Sequence, residues 1–301
     1  MGTGLTVSIL AAELLKVRKR WLPYLLLAVM LIGTAGIVWL GGYGSWRDER
    51  GEVEYGFGRA SLHTFALPWS LPALLDTGQF YGAVLVSILV ASAVATEHGW
   101  GTVRQALVRG QTRAQYLTAK LAGIVVIAAV MLLAALAVGL VFSLIATTIA
   151  DQPVTFDVPG GPSFFEVVLM VLRAGYAIIP YASLAFLLAV VGRSTTLGVV
   201  GTLLYMLVAE AILIGVLGQL GGPADEIRAS FIGHNAHALI AANQIGPGEY
   251  NSIAPREYLT SAQLPDPKAA ALVLAGYSAF FLIVAYRVFQ RRDLGTDAGG
   301  G

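Results

Sequence analysis

The chain contains no cysteine in its 301 residues, which excludes disulfides, thiolate metal sites and a cysteine nucleophile but leaves the redox compartment open. Charge is also scarce. Asp, Glu, Lys and Arg make up 12% of the residues and cancel to a net +1, so no global basic field exists to gather nucleic acid. No G-x-x-x-x-G-K-[ST] run occurs, so the chain has no phosphate-cradling loop for ATP. There are only four histidines. His234 and His237 lie near Asp225 and Glu226, but no second ligand pair accompanies them, and no nucleophile and base form a recognisable catalytic constellation. The expectation is a chain that is not itself an enzyme and holds no metal or cofactor of its own.

Hydrophobic residues, by contrast, reach 56% and the mean hydropathy is +0.73, too apolar for a soluble domain with a polar exterior. Runs long enough to cross about 30 Å of hydrocarbon occur near 22–42, 78–96, 118–150, 164–191, 196–219 and 268–287. This predicts an all-α integral membrane protein with six spans, forming a single domain over residues 1–301. The first run is too long and too far inside the chain for a cleaved signal peptide, so it reads as a retained anchor. No internal repeat stands out.

Lys and Arg are distributed unevenly. Lys16, Arg18, Lys19, Arg20, Arg104, Arg109, Arg113, Lys120, Arg193, Arg287, Arg291 and Arg292 fall in one set of loops, whereas the other set carries most of the acids. Cytoplasmic loops keep the excess of Lys and Arg, so both termini are expected in the cytoplasm, with the chain in the plasma (inner) membrane. Trp21 and Tyr24 at one end of the first span, with Trp39, Tyr43 and Trp46 at the other, fit interfacial aromatic belts. Two segments, 43–77 and 220–267, then face outward, and the second contains a short helix after Pro223.

Two polar stretches are organised. Residues 5–20 place Leu10, Leu14, Val17 and Trp21 on one helical face and Glu13, Lys16 and Arg20 on another, the pattern of an amphipathic helix lying in the interface. Between spans two and three, Thr102 with Gln105 and Thr112 with Gln115 form two successive capping-box signatures, and Gly110 between them is placed to end the first helix. They encode a short helix at about 103–109, a turn, and the start of span three. Its cations either fix topology or, with Glu97 nearby, form a docking surface for another protein.

Glu97, Gly101, Thr102, Arg104, Leu107, Arg113, Tyr116, Leu117 and Lys120 resemble the motif between the second and third spans of ABC-2 type permeases, the membrane subunits of a class of ATP-binding-cassette exporters. The resemblance extends to the amino-terminal helix with Glu13, Lys16 and Arg20, to the six spans and to the large segment between spans five and six. It implies that the 97–117 loop is a coupling helix docking on a separate ATPase subunit through Glu97, Gly101, Thr102, Arg104, Arg109, Arg113 and Lys120. It further implies two permease copies, a homodimer as the simplest case, with two ATPase subunits that bind ATP and Mg. Membrane lipid surrounds the assembly, and the exported substrate is a drug, lipid or peptide.

Arg173 and Glu210 are ionisable residues inside spans four and five. Counted from the outer ends at about 1.5 Å per residue, both lie roughly 14–15 Å deep. An isolated charge at that depth costs at least about 2.5–3.5 kcal/mol, so either a mutual ion pair or a water-lined site is expected. Glu166, seven residues before Arg173, is a second candidate partner. A secondary transporter or channel using Arg173 and Glu210 is the alternative function. Repeated halves and several interrupted spans, which would favour it, are absent from the sequence.

Overall fold

A computed structural model describes residues 11–16, 18–49, 64–99, 108, 112–154, 163–220, 222–243 and 264–291. Among them every regular element is helical. Six helices are long and apolar enough to cross a membrane: Leu22–Arg47, Ser70–Thr96, Arg113–Ile149, Phe164–Gly192, Thr195–Leu220 and Pro267–Arg291.

The first span is α1 (Leu22–Gly36), a π-helical stretch over Ile37–Gly44, and α2 (Ser45–Glu49). The second is α3 (Ser70–Gly99), the third α4 (Arg113–Ile149) and the fourth α5 (Phe164–Gly192). The fifth joins α6 (Thr195–Leu204) to α7 (Glu210–Leu220) through a second π-helical stretch, Tyr205–Ala209. Two short helices follow, α8 (Pro223–Ala229) and α9 (Ile232–Ala241), and α10 (Pro267–Arg291) is the last span. Span two begins eight residues earlier than the apolar run suggests. Asp76 and Gln79 depress the local hydropathy, yet both stand inside the helix and line a cavity.

The centre of the bundle is α3 against α5. Ala83, Ala91, Ala174, Ala177, Ala185 and Ala189 are fully buried, and small side chains let the helix backbones approach closely where no hydrophobic force separates protein from lipid. At Gly198 of α6 the fit is close. A Cβ there would stand 2.7 Å from the Ala91 Cβ and 3.0 Å from the Ala189 Cβ. The most apolar stretch of α3 is 72% buried and that of the fifth span only 11%, so the fifth span presents most of its apolar surface outward.

Helix starts follow the chemistry of the chain. Thr112 caps α4 in a complete capping box: its hydroxyl accepts the Gln115 N–H and the Gln115 side chain accepts the Thr112 N–H. Ser163 and Glu166 do the same for α5. The matching signature at Thr102 and Gln105, and Gly110, lie outside the described residues. Trp39, Tyr43 and Trp46 pack edge-on or tilted with Phe65 and Phe142, and Trp46 is buried. They build a local core, whereas Trp21 and Tyr24 are exposed as an aromatic belt requires.

Candidate functional site

Two polar constructions stand at opposite ends of the bundle. At the end carrying the amino terminus, residues 11–16 are helical and Glu13 is 5% exposed. The amphipathic pattern places Glu13 on a polar outer face, but its carboxylate turns inward and pairs with Lys16 and, at 3.2 Å, with Lys120 Nζ of α4. Lys120 is 3% exposed and also donates to the Ala93 carbonyl of α3 at 3.2 Å. One ammonium therefore joins three segments: the amino-terminal helix, the end of span two and the start of span three. A buried lysine is tolerated here because a carboxylate and a carbonyl replace its water.

The last span is tied to the same place. Arg113 donates to the Gln290 carbonyl at 2.6 Å and the Phe289 carbonyl at 3.3 Å, which suits a cation at a helix carboxyl end. The Tyr116 and Phe289 rings stack at 6.0 Å, and the Thr118 and Tyr286 hydroxyls share a hydrogen bond. Of the other residues singled out, Gly101, Thr102, Arg104 and Arg109 lie outside the described residues, as does the Glu97 side chain, although its backbone belongs to α3. Arg20 follows residues 11–16 in the short coil before α1.

At the far end, α9 organises the site. Glu210 is 2% exposed; its Oε2 accepts the Tyr181 hydroxyl at 2.8 Å and its Oε1 accepts the Gly233 N–H at 2.5 Å. Gly233 is in the first turn of α9, whose N-cap, Phe231, has no side-chain oxygen to offer. The Glu210 carboxylate thus serves as the missing cap and meets the positive end of the helix dipole. Arg173 lies at the other end of the same helix, donating to the Ala242 carbonyl at 2.8 Å and to Asn243 Oδ1 at 3.3 Å. Asn243 in turn donates to the Met170 carbonyl of α5.

The two membrane charges therefore do not pair with each other. Equal depth along neighbouring spans does not bring them together, because a ten-residue helix, roughly 15 Å long at 1.5 Å per residue, stands between them and offers each an opposite partial charge. Glu166 is not the partner of Arg173 either. Its carboxylate accepts the Ser163 N–H and hydroxyl at 2.6 and 2.8 Å.

Beside Glu210 is a cavity of about 530 Å³. It is lined by Asp76, Thr77, Gln79, Phe80 and Tyr81 of α3, Tyr181 of α5, Met206, Glu210, Ala211 and Ile214 of the fifth span, and Gly233, Ala236 and His237 of α9. Ile37, the first residue of one π-helical stretch, and Met206, within the other, both reach it. Irregular helical turns widen the local backbone and recur where spans line a cavity. Sequence reading passes over Asp76, Gln79 and Tyr181, although the i, i+3 spacing of Asp76 and Gln79 marks one helical face. Among the described residues no group of three His, Asp or Glu side chains is placed to hold a metal.

A protein-family model described as "Protein of unknown function (DUF2705)" matches residues 72–295. No curated protein matches the chain significantly. The match begins in α3 and runs through α10, taking in both polar constructions except the amino-terminal helix, and on that extent the chain belongs to the DUF2705 family.

Proposed function

We propose that the chain is the membrane permease subunit of an ABC-2 type exporter. In this reading it dimerises, docks two separate ATPase subunits that bind ATP and Mg, and exports a drug, lipid or peptide from a cytoplasm that holds both termini. The observation that carries the proposal is the Glu13–Lys120 bridge. It fastens the amino-terminal helix to the base of the loop between spans two and three, where the resemblance to ABC-2 permeases puts the interface helix and the coupling helix. Arg113 adds the end of α10 to the same cluster. A push on the loop is thereby passed to spans two, three and six together, which is what coupling to an external ATPase requires.

Within this division of labour Lys120, being buried, acts as a strut, and docking falls to residues of the loop such as Arg104 and Arg109. The test is co-purification of the tagged full-length chain with a Walker A protein encoded beside it. A stable complex lost on charge reversal at Arg104 or Arg109 supports the reading, and a chain that transports alone without nucleotide overturns it.

A second reading, an ion-coupled secondary transporter, draws on one observation: Asp76, Glu210 and His237 border a single cavity. It predicts uptake or efflux by the chain alone in liposomes bearing a proton gradient.

A further inference from the structure

The cavity under α9 combines committed and uncommitted polar groups. Glu210 is committed, since its oxygens are taken by Tyr181 and Gly233. Gln79 is not: it is 8% exposed, lines the cavity and makes no hydrogen bond within the described residues. Its amide is therefore open to the cavity, with donor and acceptor both available to a bound molecule. Asp76, three residues before it on the same helical face, also lines the cavity and accepts no hydrogen bond within the described residues.

Acid outweighs base. Two carboxylates border the cavity against one basic side chain, His237, which acts electrostatically on Asp76, and no Lys or Arg does among the described lining residues, so an anion would meet more acid than base. A bare metal ion is no better served, because no group of three possible ligands converges. The remaining wall is apolar or aromatic, with Ile37, Met206 and Ile214 and the edge-to-face pair Phe80 and Tyr81 at 5.8 Å. Such a wall favours an organic body, and the ring faces favour a cationic one.

We propose that this cavity binds a small amphipathic organic cation, with its ammonium or guanidinium group on Asp76, a polar substituent on the Gln79 amide and its apolar part against Phe80 and Met206. Glu210 holds α9 in place as one wall and adds its field. As a substrate site the cavity rests on the permease reading, but as a binding site it can be measured on the chain alone.

The experiment titrates the full-length chain in lipid nanodiscs, without any ATPase, with benzyltrimethylammonium and separately with benzylsulfonate, which has the same ring and the opposite charge. Saturable binding of the cation and none of the sulfonate is expected. Affinity for the cation should fall at least about ten-fold in Asp76→Asn, a loss that corresponds to about 1.4 kcal/mol. Gln79→Leu should also weaken it, and Asp225→Asn, outside the cavity, should leave it unchanged. Thermal melting identifies variants that are folded. If Asp76→Asn does not fold, Gln79→Leu and the contrast between cation and sulfonate on the unaltered chain decide. No saturable cation binding, equal binding of the sulfonate, or full affinity in a folded Asp76→Asn chain overturns the proposal. Failure here leaves a complex with an ATPase intact, whereas failure of that complex leaves cation binding intact, so the two ideas fail separately.

Discussion

Arg173 and Glu210 hold opposite ends of one helix: Glu210 accepts from Gly233 in the first turn of α9, and Arg173 donates to Ala242 just beyond its last turn. Both charges are matched to the helix dipole, acid at the amino end and base at the carboxyl end. The arrangement fixes α9 between α5 and α7 and thereby sets the wall of the adjoining cavity.

Removing either charge should loosen α9 from its own end. Glu210→Gln keeps the shape of the side chain but exchanges a charged acceptor for a neutral one, at a cost of about 1.5–3 kcal/mol for hydrogen bonds to a charged group. Amide hydrogen exchange read by mass spectrometry should quicken first in the peptide around Ile232–Gly233 for that variant. Arg173→Met should act first around Ala241–Asn243. Unchanged exchange across α9 in both variants would contradict the assignment.

Gly233 has little room for a side chain. A Cβ there would stand 3.1 Å from the Tyr181 hydroxyl and 3.2 Å from the Glu210 carboxyl carbon, so Gly233→Ala should displace the carboxylate it is bonded to. We expect a lower melting temperature in detergent and a destabilisation of about 1–3 kcal/mol from overpacking. Gly276→Ala, whose Cβ would meet nothing within 4 Å, should be neutral or stabilising, since alanine is the better helix former.

Lys120 and Glu13 should behave as a coupled pair. Removing one partner of a buried ion pair leaves the other charge uncompensated, at about 3–5 kcal/mol, so Lys120→Met and Glu13→Gln should each be severe. The double variant should cost clearly less than the two added together. Lys16, whose side chain is 44% exposed, should contribute less than about 1 kcal/mol, as solvent-exposed pairs do. Additive behaviour of Lys120→Met and Glu13→Gln in chemical unfolding would show that the bridge carries no weight.

The fold was legible wherever a single helix decides the matter. Length and hydropathy locate six spans, and capping chemistry locates the start of α4 at Thr112. Relations between elements were less legible. Glu13 belongs to the polar face of an amphipathic pattern, and only the position of Lys120, more than a hundred residues away, turns it inward. Arg173 and Glu210 lie at one depth by residue counting, but depth along two helices says nothing of what stands between them. Asp76 looks like part of the loop before a span because hydropathy treats a cavity-facing polar residue and a loop residue alike.

The most direct test of the permease assignment is ATP-dependent transport in inside-out vesicles containing the chain with and without its neighbouring ATPase. The account predicts transport only when both proteins and ATP are present, and its loss when Arg104 or Arg109 is reversed to Glu although the chain still inserts. Transport by the chain alone, or an unchanged rate without nucleotide, would contradict it.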